Sequence, residues 1–218
     1  MTKPPLAVAV LISGTGSNLK ALIDAKNAGQ LRLEICLVIS NKETAPGLDH
    51  ARLDNIPFRV ITSGNCDDQD AAIANCLLEH RAELIILAGY MRIVGELLVN
   101  TFIGRMINLH PSLLPSYPGL NTYQQVIDAG DSEHGASIHF VSNILDGGPV
   151  ISQVRIPVLD GDNPTTLATR LAPTEHRLLV ATVELFMQRR VEINSHGVQL
   201  DGTILTQPLQ LVSGNTFD

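Results

Sequence analysis

The sequence lacks tryptophan, is poor in aromatic residues and carries no excess of positive charge. Aromatic residues make up 4% of the chain, and 22 acidic residues outnumber 15 lysines and arginines, which gives a formal net charge of -7. No run of lysine or arginine offers the electrostatic footprint of a nucleic-acid-binding surface. Nucleic acid is therefore not an expected partner, and an anionic ligand would need a local site.

Cysteines and long apolar segments are also scarce. The three cysteines, Cys36, Cys66 and Cys76, are odd in number and lack metal-ligand spacing, so we expect reduced thiols and no metal. The apolar run Leu6–Ile12 follows Pro4-Pro5 and precedes no A-x-A cleavage pattern, unlike a signal peptide. No segment reaches the roughly 20 apolar residues that cross a bilayer. We therefore expect a cytoplasmic protein that does not bind membranes.

The first half of the chain alternates between buried strands and helices. Strands are predicted at Leu6–Ile12, Leu33–Ser40 and residues 58–62, 84–88 and 106–109. Helices are predicted at residues 19–28, 46–55 and 96–102, with a further one ending near His80. This alternation predicts an α/β fold with a Rossmann-like open, mostly parallel sheet and helices on both faces.

The second half of the chain is predicted to hold two further strands and a long helix. A short helix covers residues 123–129, and the strands cover residues 135–141 and 150–158. The long helix opens at Thr165, and Pro173 should kink or split it. Residues 191–194 and 203–205 are predicted to form a small hairpin, and residues 208–218 to fray.

A glycine-rich turn, residues 13–18, separates the first strand from the first helix. Backbone amides at a helix start favour an anion, although the glycines would also serve a plain tight turn. A dinucleotide site would need a glycine near position 19 and an acidic residue after the second strand. Leu19 and Ser40-Asn41 stand there. The turn is therefore a candidate site for a single phosphate.

Polar side chains gather where the fifth strand ends. Asn108 and His110 are two positions apart, so in extended chain they project to the same side. There they could stabilise an oxyanion or simply bond loop backbone. The loop of residues 89–94 follows the fourth strand. It could line a binding site for a flat apolar ligand, or it could simply pack under the next helix.

Two later residues are candidates for the same site. His139 lies on a predicted strand and is either a second polar group of the site or a structural histidine. Asp146 lies in a turn-rich loop, where an aspartate either caps local backbone or pairs with an imidazole. Such a pair would raise the pKa of the imidazole and keep it as a charged donor.

Four segments together resemble the folate-dependent formyltransferases, and among them the phosphoribosylglycinamide formyltransferases of purine synthesis. They are residues 13–19, 88–93, 108–115 and 146–149, and the resemblance runs from about residue 6 to about residue 205. The turn at residues 13–18 is shared with formyltetrahydrofolate hydrolases. We expect neither the additional N-terminal domain of those hydrolases nor the C-terminal barrel of methionyl-tRNA formyltransferases.

The resemblance implies that a formyl group passes from 10-formyltetrahydrofolate to the amine of glycinamide ribonucleotide, with no metal. It implies a single domain over residues 1–218, with a phosphate-binding half at about 6–105 and a catalytic and folate-binding half at about 106–206. The partners would be small molecules, and the protein a monomer or weak homodimer. The implied catalytic residues are Asn108, His110 and Asp146, with His139 in support. The implied nucleotide-binding residues are Gly16, Ser17, Asn18 and Glu175. The implied folate-binding residues are Met91, Arg92, Ile93, Val94, Asn108, Ser142, Asn143, Ile144, Leu145 and Asp146.

The expected mechanism is direct attack of the amine on the formyl carbon through a tetrahedral oxyanion, with Asn108 and protonated His110 as donors. Two alternatives stay open, a formyltetrahydrofolate hydrolase and a non-catalytic module that binds phosphate ligands. The chain also departs from its relatives. Gln69 stands where they often have an arginine near the folate tail, Ala172 replaces a glutamine and is followed by Pro173, and Asn121 replaces a histidine. Each of these substitutions affects an expected contact with a ligand and leaves the expected chemistry unchanged.

Overall fold

The structure is a computed structural model that describes residues 4–62, 65–212 and 214–218. The chain forms two compact units, and the division between them falls after Asn108. Among the described residues, no helix is both long and apolar enough to cross a membrane.

The first unit contains the parallel strands that the sequence predicts. Its strands are β1 (Leu6–Ile12), β2 (Leu33–Ser40), β3 (Phe58–Val60), β4 (Leu84–Leu87) and the start of β5 (Met106–His110). Its helices are α1 (Ser17–Asn27), α2 (Leu48–Leu53), α3 (Cys66–Glu79) and α4 (Glu96–Thr101). The strand order is β3-β2-β1-β4-β5, and every neighbouring pair is parallel.

The carboxyl ends of three neighbouring strands carry the candidate residues of this unit. β1 is almost wholly buried, as an apolar strand covered on both faces should be. In the pairing register Leu11 of β1 lies beside Leu87 of β4, and Leu87 lies beside Asn108 of β5. The glycine-rich turn, the loop after β4 and Asn108 therefore lie along one edge, where open α/β sheets bind ligands.

The second unit combines an antiparallel strand pair, a long helix and a small separate sheet. Its helices are α5 (Thr122–Ala129) and α6 (Pro164–Met187). Its strands are β6 (Glu133–Phe140), β7 (Val150–Pro157), β8 (Val191–Asn194), β9 (Gly197–Leu200), β10 (Thr203–Ile204) and β11 (Leu209–Gln210). β6 pairs with β7 antiparallel, and β11 pairs with β7 parallel. The mostly parallel sheet, the long helix and the small antiparallel sheet are confirmed.

Pro173 does not split the long helix, so that part of the prediction was wrong. α6 runs without interruption for 24 residues across Pro173. A proline removes one backbone donor, but α6 has buried residues on both sides of it, such as Leu171 and Leu178. The helix start is also fixed, because the Asn163 side chain accepts hydrogen bonds from the amides of Thr165 and Thr166.

The small sheet has a third strand that the sequence reading missed. The predicted hairpin paired residues 191–194 directly with residues 203–205, whereas β9 lies between β8 and β10 and pairs with both. Only four residues long, β9 contains Gly197 and a single buried apolar side chain, Val198. So short a segment gives a weak alternation signal.

The described residues of the C-terminal segment are paired with the rest of the second unit and do not fray, contrary to expectation. β11 adds to the edge of β7, with Leu209 beside Ser152, and Leu209 and Leu211 are buried. The Arg177 side chain donates to the carbonyl oxygens of Val212 and Gly214. The segment was mistaken for a tail because its two apolar anchors are separated by polar residues.

Candidate active site

The glycine-rich turn leaves the start of α1 open for a ligand. Gly16 precedes the helix at φ 71°, a left-handed conformation that suits glycine, and a Cβ there would lie 2.7 Å from the Cα of Gly47. In the described part of the chain no side chain caps this helix start, and its first turn has no acidic residue. Asn18 Oδ1 is buried without a partner among the described residues. The turn can therefore hold an anion through backbone amides.

Ser13 joins this turn to the loop after β4. Its hydroxyl donates to Asn41 Oδ1 at 2.6 Å and accepts from the backbone amide of Met91 at 2.8 Å. Its own amide donates to the Gly89 carbonyl oxygen at 3.1 Å. Within the first unit the structure therefore brings together the predicted phosphate turn and the predicted folate loop. Ser13 itself was not singled out from the sequence.

The loop of residues 89–94 presents apolar side chains and keeps its one cation inward. Met91 and Ile93 are 64% and 66% exposed, which is unusual for large apolar residues in one short loop. The guanidinium of Arg92 instead lies 2.7 Å from Asp70 Oδ1, and the Asp70 side chain is completely buried. The loop can thus offer an apolar face to a flat ligand.

Gln69, which takes the place of an arginine in relatives, also faces inward. Its side chain is buried and donates to the carbonyl oxygen of Ile61. This amide is therefore engaged with backbone rather than extended toward solvent.

In the second unit the carboxylate of Asp146 lies between two histidines. Its Oδ2 is 3.4 Å from His110 Nδ1, and its Oδ1 is 3.5 Å from His139 Nε2. The amide of Gly119 donates to Oδ2 at 2.8 Å. The other nitrogen of His110 donates to the Tyr117 carbonyl oxygen at 2.9 Å. His110, His139 and Asp146, each a candidate from the sequence, thus lie together in one cluster.

The expected rise in the pKa of His110 is not found. Burial lowers the pKa of His110 below its usual value, and the opposing effects of the Tyr117 carbonyl and of Asp146 do not reverse this. The predicted opposite charge is present, but desolvation of the imidazolium outweighs it. Burial therefore favours the neutral form of the imidazole.

Asp146 is held ionised. Burial by itself would raise its pKa, but hydrogen bonds from His139 and from the Gly119 amide, together with the two imidazoles, lower the pKa below its usual value. Its backbone is in the left-handed region at φ 49°, which aspartate tolerates better than most residues. The cluster thus provides a fixed carboxylate beside an imidazole, an arrangement that can orient and relay a proton.

Gly148 allows the loop that carries Asp146 to approach β6 closely. A Cβ at this position would overlap the carbonyl oxygen of Phe140 and lie 3.5 Å from His139 Nδ1. Residues 142–145 precede Asp146, and among them Ile144 and Leu145 are largely exposed. The loop therefore fixes one end firmly while exposing an apolar surface at the other.

Glu175 lies in a second polar group, formed with Tyr123 and His134. The Tyr123 hydroxyl donates to Glu175 Oε1 at 3.4 Å, and the Tyr123 ring packs edge-on against His134 at 5.0 Å. Burial raises the pKa of Glu175 to about 7. The pKa of His134 is lowered to about 4, mainly by burial and to a smaller extent by the charge of His110. Glu175 is thus poised to change its charge near neutral pH.

Several residues of the site were missed from the sequence. Tyr117 and Gly119 contribute backbone atoms, which no side-chain pattern can indicate. Asp70 did leave a signal, since it precedes Ile73, Ala74 and Leu77 on the buried stripe of α3, and a carboxylate there needs a partner. No group of three or more potential metal ligands lies together among the residues that the structure describes.

The fold and these motifs define a member of the formyl transferase family. Residues 6–183 match the family described as formyl transferase, and the chain belongs to it. The chain is 39% identical over 198 residues to the phosphoribosylglycinamide formyltransferase of Escherichia coli, covering 89% of this chain and 93% of that protein. It is also 39% identical over 201 residues to the enzyme of the same name from Haemophilus influenzae, covering 91% and 95%.

Solved structures agree with this assignment. The phosphoribosylglycinamide formyltransferase of Coxiella burnetii, determined in complex with CHES, superposes with a TM-score of 0.89 at 41% identity, covering 93% of this chain and 96% of that one. Glycinamide ribonucleotide transformylase 1 from Symbiobacterium toebii gives a TM-score of 0.87 at 35% identity, covering 91% and 95%.

Proposed function

We propose that this protein transfers a formyl group from 10-formyltetrahydrofolate to the amine of glycinamide ribonucleotide. The observation that carries the proposal is the Asp146 carboxylate fixed beside His110, in a chain whose relatives bear the name of that activity. No covalent intermediate with the protein is needed, because the amine itself attacks the formyl carbon.

The nucleotide would bind through its phosphate at the start of α1. Ser17 and Asn18 lie in the first turn of α1, where backbone amides have no partner within the helix, and the helix dipole adds a partial positive charge. The buried, unpartnered Asn18 Oδ1 would accept a hydrogen bond from a hydroxyl group of the ligand. Glu175 would contact the glycinamide part.

The folate would bind against apolar loop residues. Met91, Ile93, Ile144 and Leu145 are exposed, large and apolar, which suits the flat ring of a pterin. Arg92 would contribute backbone and packing, since its guanidinium is paired with Asp70. Val94, Ser142 and Asn143 complete the proposed contacts.

In the transition state Asn108 and His110 would donate hydrogen bonds to the developing oxyanion. The lowered pKa of His110 disfavours the imidazolium. The role does not require it, because a neutral imidazole can donate to the oxyanion with its one N–H. The Nε2 hydrogen bond to Tyr117 would then be exchanged for one to the ligand. Asp146, oriented by His139, would organise a water that carries the proton from the attacking amine to the departing folate nitrogen.

The test is to incubate the purified protein with glycinamide ribonucleotide and 10-formyltetrahydrofolate and to separate the products. Formylated nucleotide in amounts equal to the tetrahydrofolate released supports the proposal. Free formate without formylated nucleotide would identify a hydrolase, and binding without either product a non-catalytic module.

A further inference from the structure

The loop of residues 89–94 is fixed at both ends by buried residues outside it. Ser13 holds the amide of Met91 and the carbonyl of Gly89 at the start of the loop. At the other end the carboxylate of Asp70 accepts hydrogen bonds from Arg92 Nη1 and from the amide of Gly95. The loop has no regular secondary structure of its own, so these contacts define its path.

Asp70 is an unusual residue at its position. It lies on α3 among buried apolar neighbours, and its side chain has no exposed surface. A buried carboxylate costs several kcal/mol unless it is paired and hydrogen-bonded, and an apolar residue would fill the same place without that cost. Its two oxygens are used separately, one by the Arg92 side chain and the other by the backbone that begins α4.

We propose that Asp70 is a positioning residue for folate binding, which it serves by holding Arg92 and Gly95 so that Met91 and Ile93 stay exposed as one preformed apolar face. The inference rests on the proposed function. Without the charge of Asp70, the Arg92 guanidinium would keep its hydrogen bond to Tyr90 but lose its ion pair. The loop would be held less firmly, and its exposed apolar side chains would collapse onto the first unit. Ligand binding would then have to order the loop, and the conformational entropy lost in doing so would reduce the affinity for the ligand.

Asp70→Asn tests this directly. The amide keeps one acceptor for Gly95 but loses the charge that pairs with Arg92. We expect the KM for 10-formyltetrahydrofolate to rise about tenfold or more, with the KM for glycinamide ribonucleotide changed less than about twofold. The matched control is Asp68→Asn, because Asp68 is an exposed carboxylate in the first turn of the same helix.

A double-mutant cycle with Arg92→Gln separates positioning from general loosening. If Asp70 acts through Arg92, the effects of the two changes on the folate KM will not add. Ser13→Ala provides an independent variant that loosens the other end of the loop, and it should also raise the folate KM, whether or not Asp70→Asn folds. Equal rises in both KM values, fully additive effects or an unchanged folate KM would overturn the inference. Absence of product from the unmodified protein would instead refute the proposed function.

Discussion

The carboxylate of Asp146 and the imidazole of His110 approach within 3.4 Å, and the opposite nitrogen of His110 donates to the backbone of Tyr117. Both neighbours of the ring are acceptors, and a neutral imidazole has only one N–H to give. Burial nevertheless lowers the pKa of His110. The N–H of the neutral ring lies on Nε2 and donates to Tyr117, so a ligand that displaces the Tyr117 carbonyl gains this donor.

Asp146→Asn should lower kcat by roughly a hundredfold to ten-thousandfold, the usual contribution of a general acid or base. The neutral amide cannot orient and polarise, as the carboxylate does, the water that carries the amine proton. The KM values should change little, because the side chain keeps its shape and can still accept from Gly119. Steady-state kinetics with thermal unfolding measure both effects.

A matched control for that change is Asp128→Asn. Asp128 is exposed on α5 and accepts a hydrogen bond from Gln124. Its kcat should stay within about twofold of the unmodified protein, since surface changes of this kind are usually small. Similar kcat values for the two variants would contradict the role of Asp146.

Glu175→Gln should weaken nucleotide binding more at pH 8 than at pH 6. Because the pKa of Glu175 is about 7, the native side chain is mostly protonated at pH 6, and there it resembles glutamine. At pH 8 it is mostly charged, and the substitution removes that charge. The KM for the nucleotide measured across this range checks the prediction, and a ratio of KM values that does not vary with pH would refute it.

His134→Phe should flatten the dependence of stability on pH between about 6.5 and 4. Burial lowers the folded-state pKa of His134 from its usual value of about 6.5 to about 4, so in this window the unfolded chain binds a proton that the folded chain does not. Its contribution is therefore fully present above pH 6.5 and is lost as the pH falls, at up to about 1.4 kcal/mol per pH unit. Denaturant unfolding at several pH values measures it. An unchanged slope in the variant would show that His134 is not the group responsible.

Gly148→Ala should destabilise the protein by about 2 kcal/mol and reduce activity, because the added Cβ overlaps the Phe140 carbonyl oxygen and displaces the loop that carries Asp146. Gly14→Ala is the comparison, since a Cβ at Gly14 would meet no atom of the described chain within 4 Å and Gly14 has no positive φ. Urea unfolding of both variants should rank Gly148→Ala as the less stable. The reverse order would contradict the steric explanation.

The strands of the first unit could be predicted because their apolar runs are continuous and end at glycine, proline or polar residues. Leu6–Ile12 and Leu33–Ser40 have the same limits in sequence and structure. Long-range packing decided the rest. Nothing local indicates that residues 209–210 pair with β7, or that buried side chains on both sides of Pro173 keep α6 continuous.

In the candidate site, the side chains could be predicted from the sequence, whereas the backbone contacts could not. His110, His139 and Asp146 were identifiable by residue type and position, and the structure brings them together. The charge of His110 depends on desolvation, which a linear sequence does not report. The contacts of Tyr117 and Gly119 depend on the path of a loop, as does the inward direction of Gln69.

The most direct test of formyl transfer is a single-turnover experiment with 10-formyltetrahydrofolate labelled in the formyl carbon. Excess protein and glycinamide ribonucleotide would be mixed with the labelled donor and quenched at successive times. Direct transfer predicts that the label leaves the donor and appears in the nucleotide at the same rate, with none bound to protein. Label that accumulates as formate, or on the protein before it reaches the nucleotide, would contradict the mechanism proposed for Asn108, His110 and Asp146.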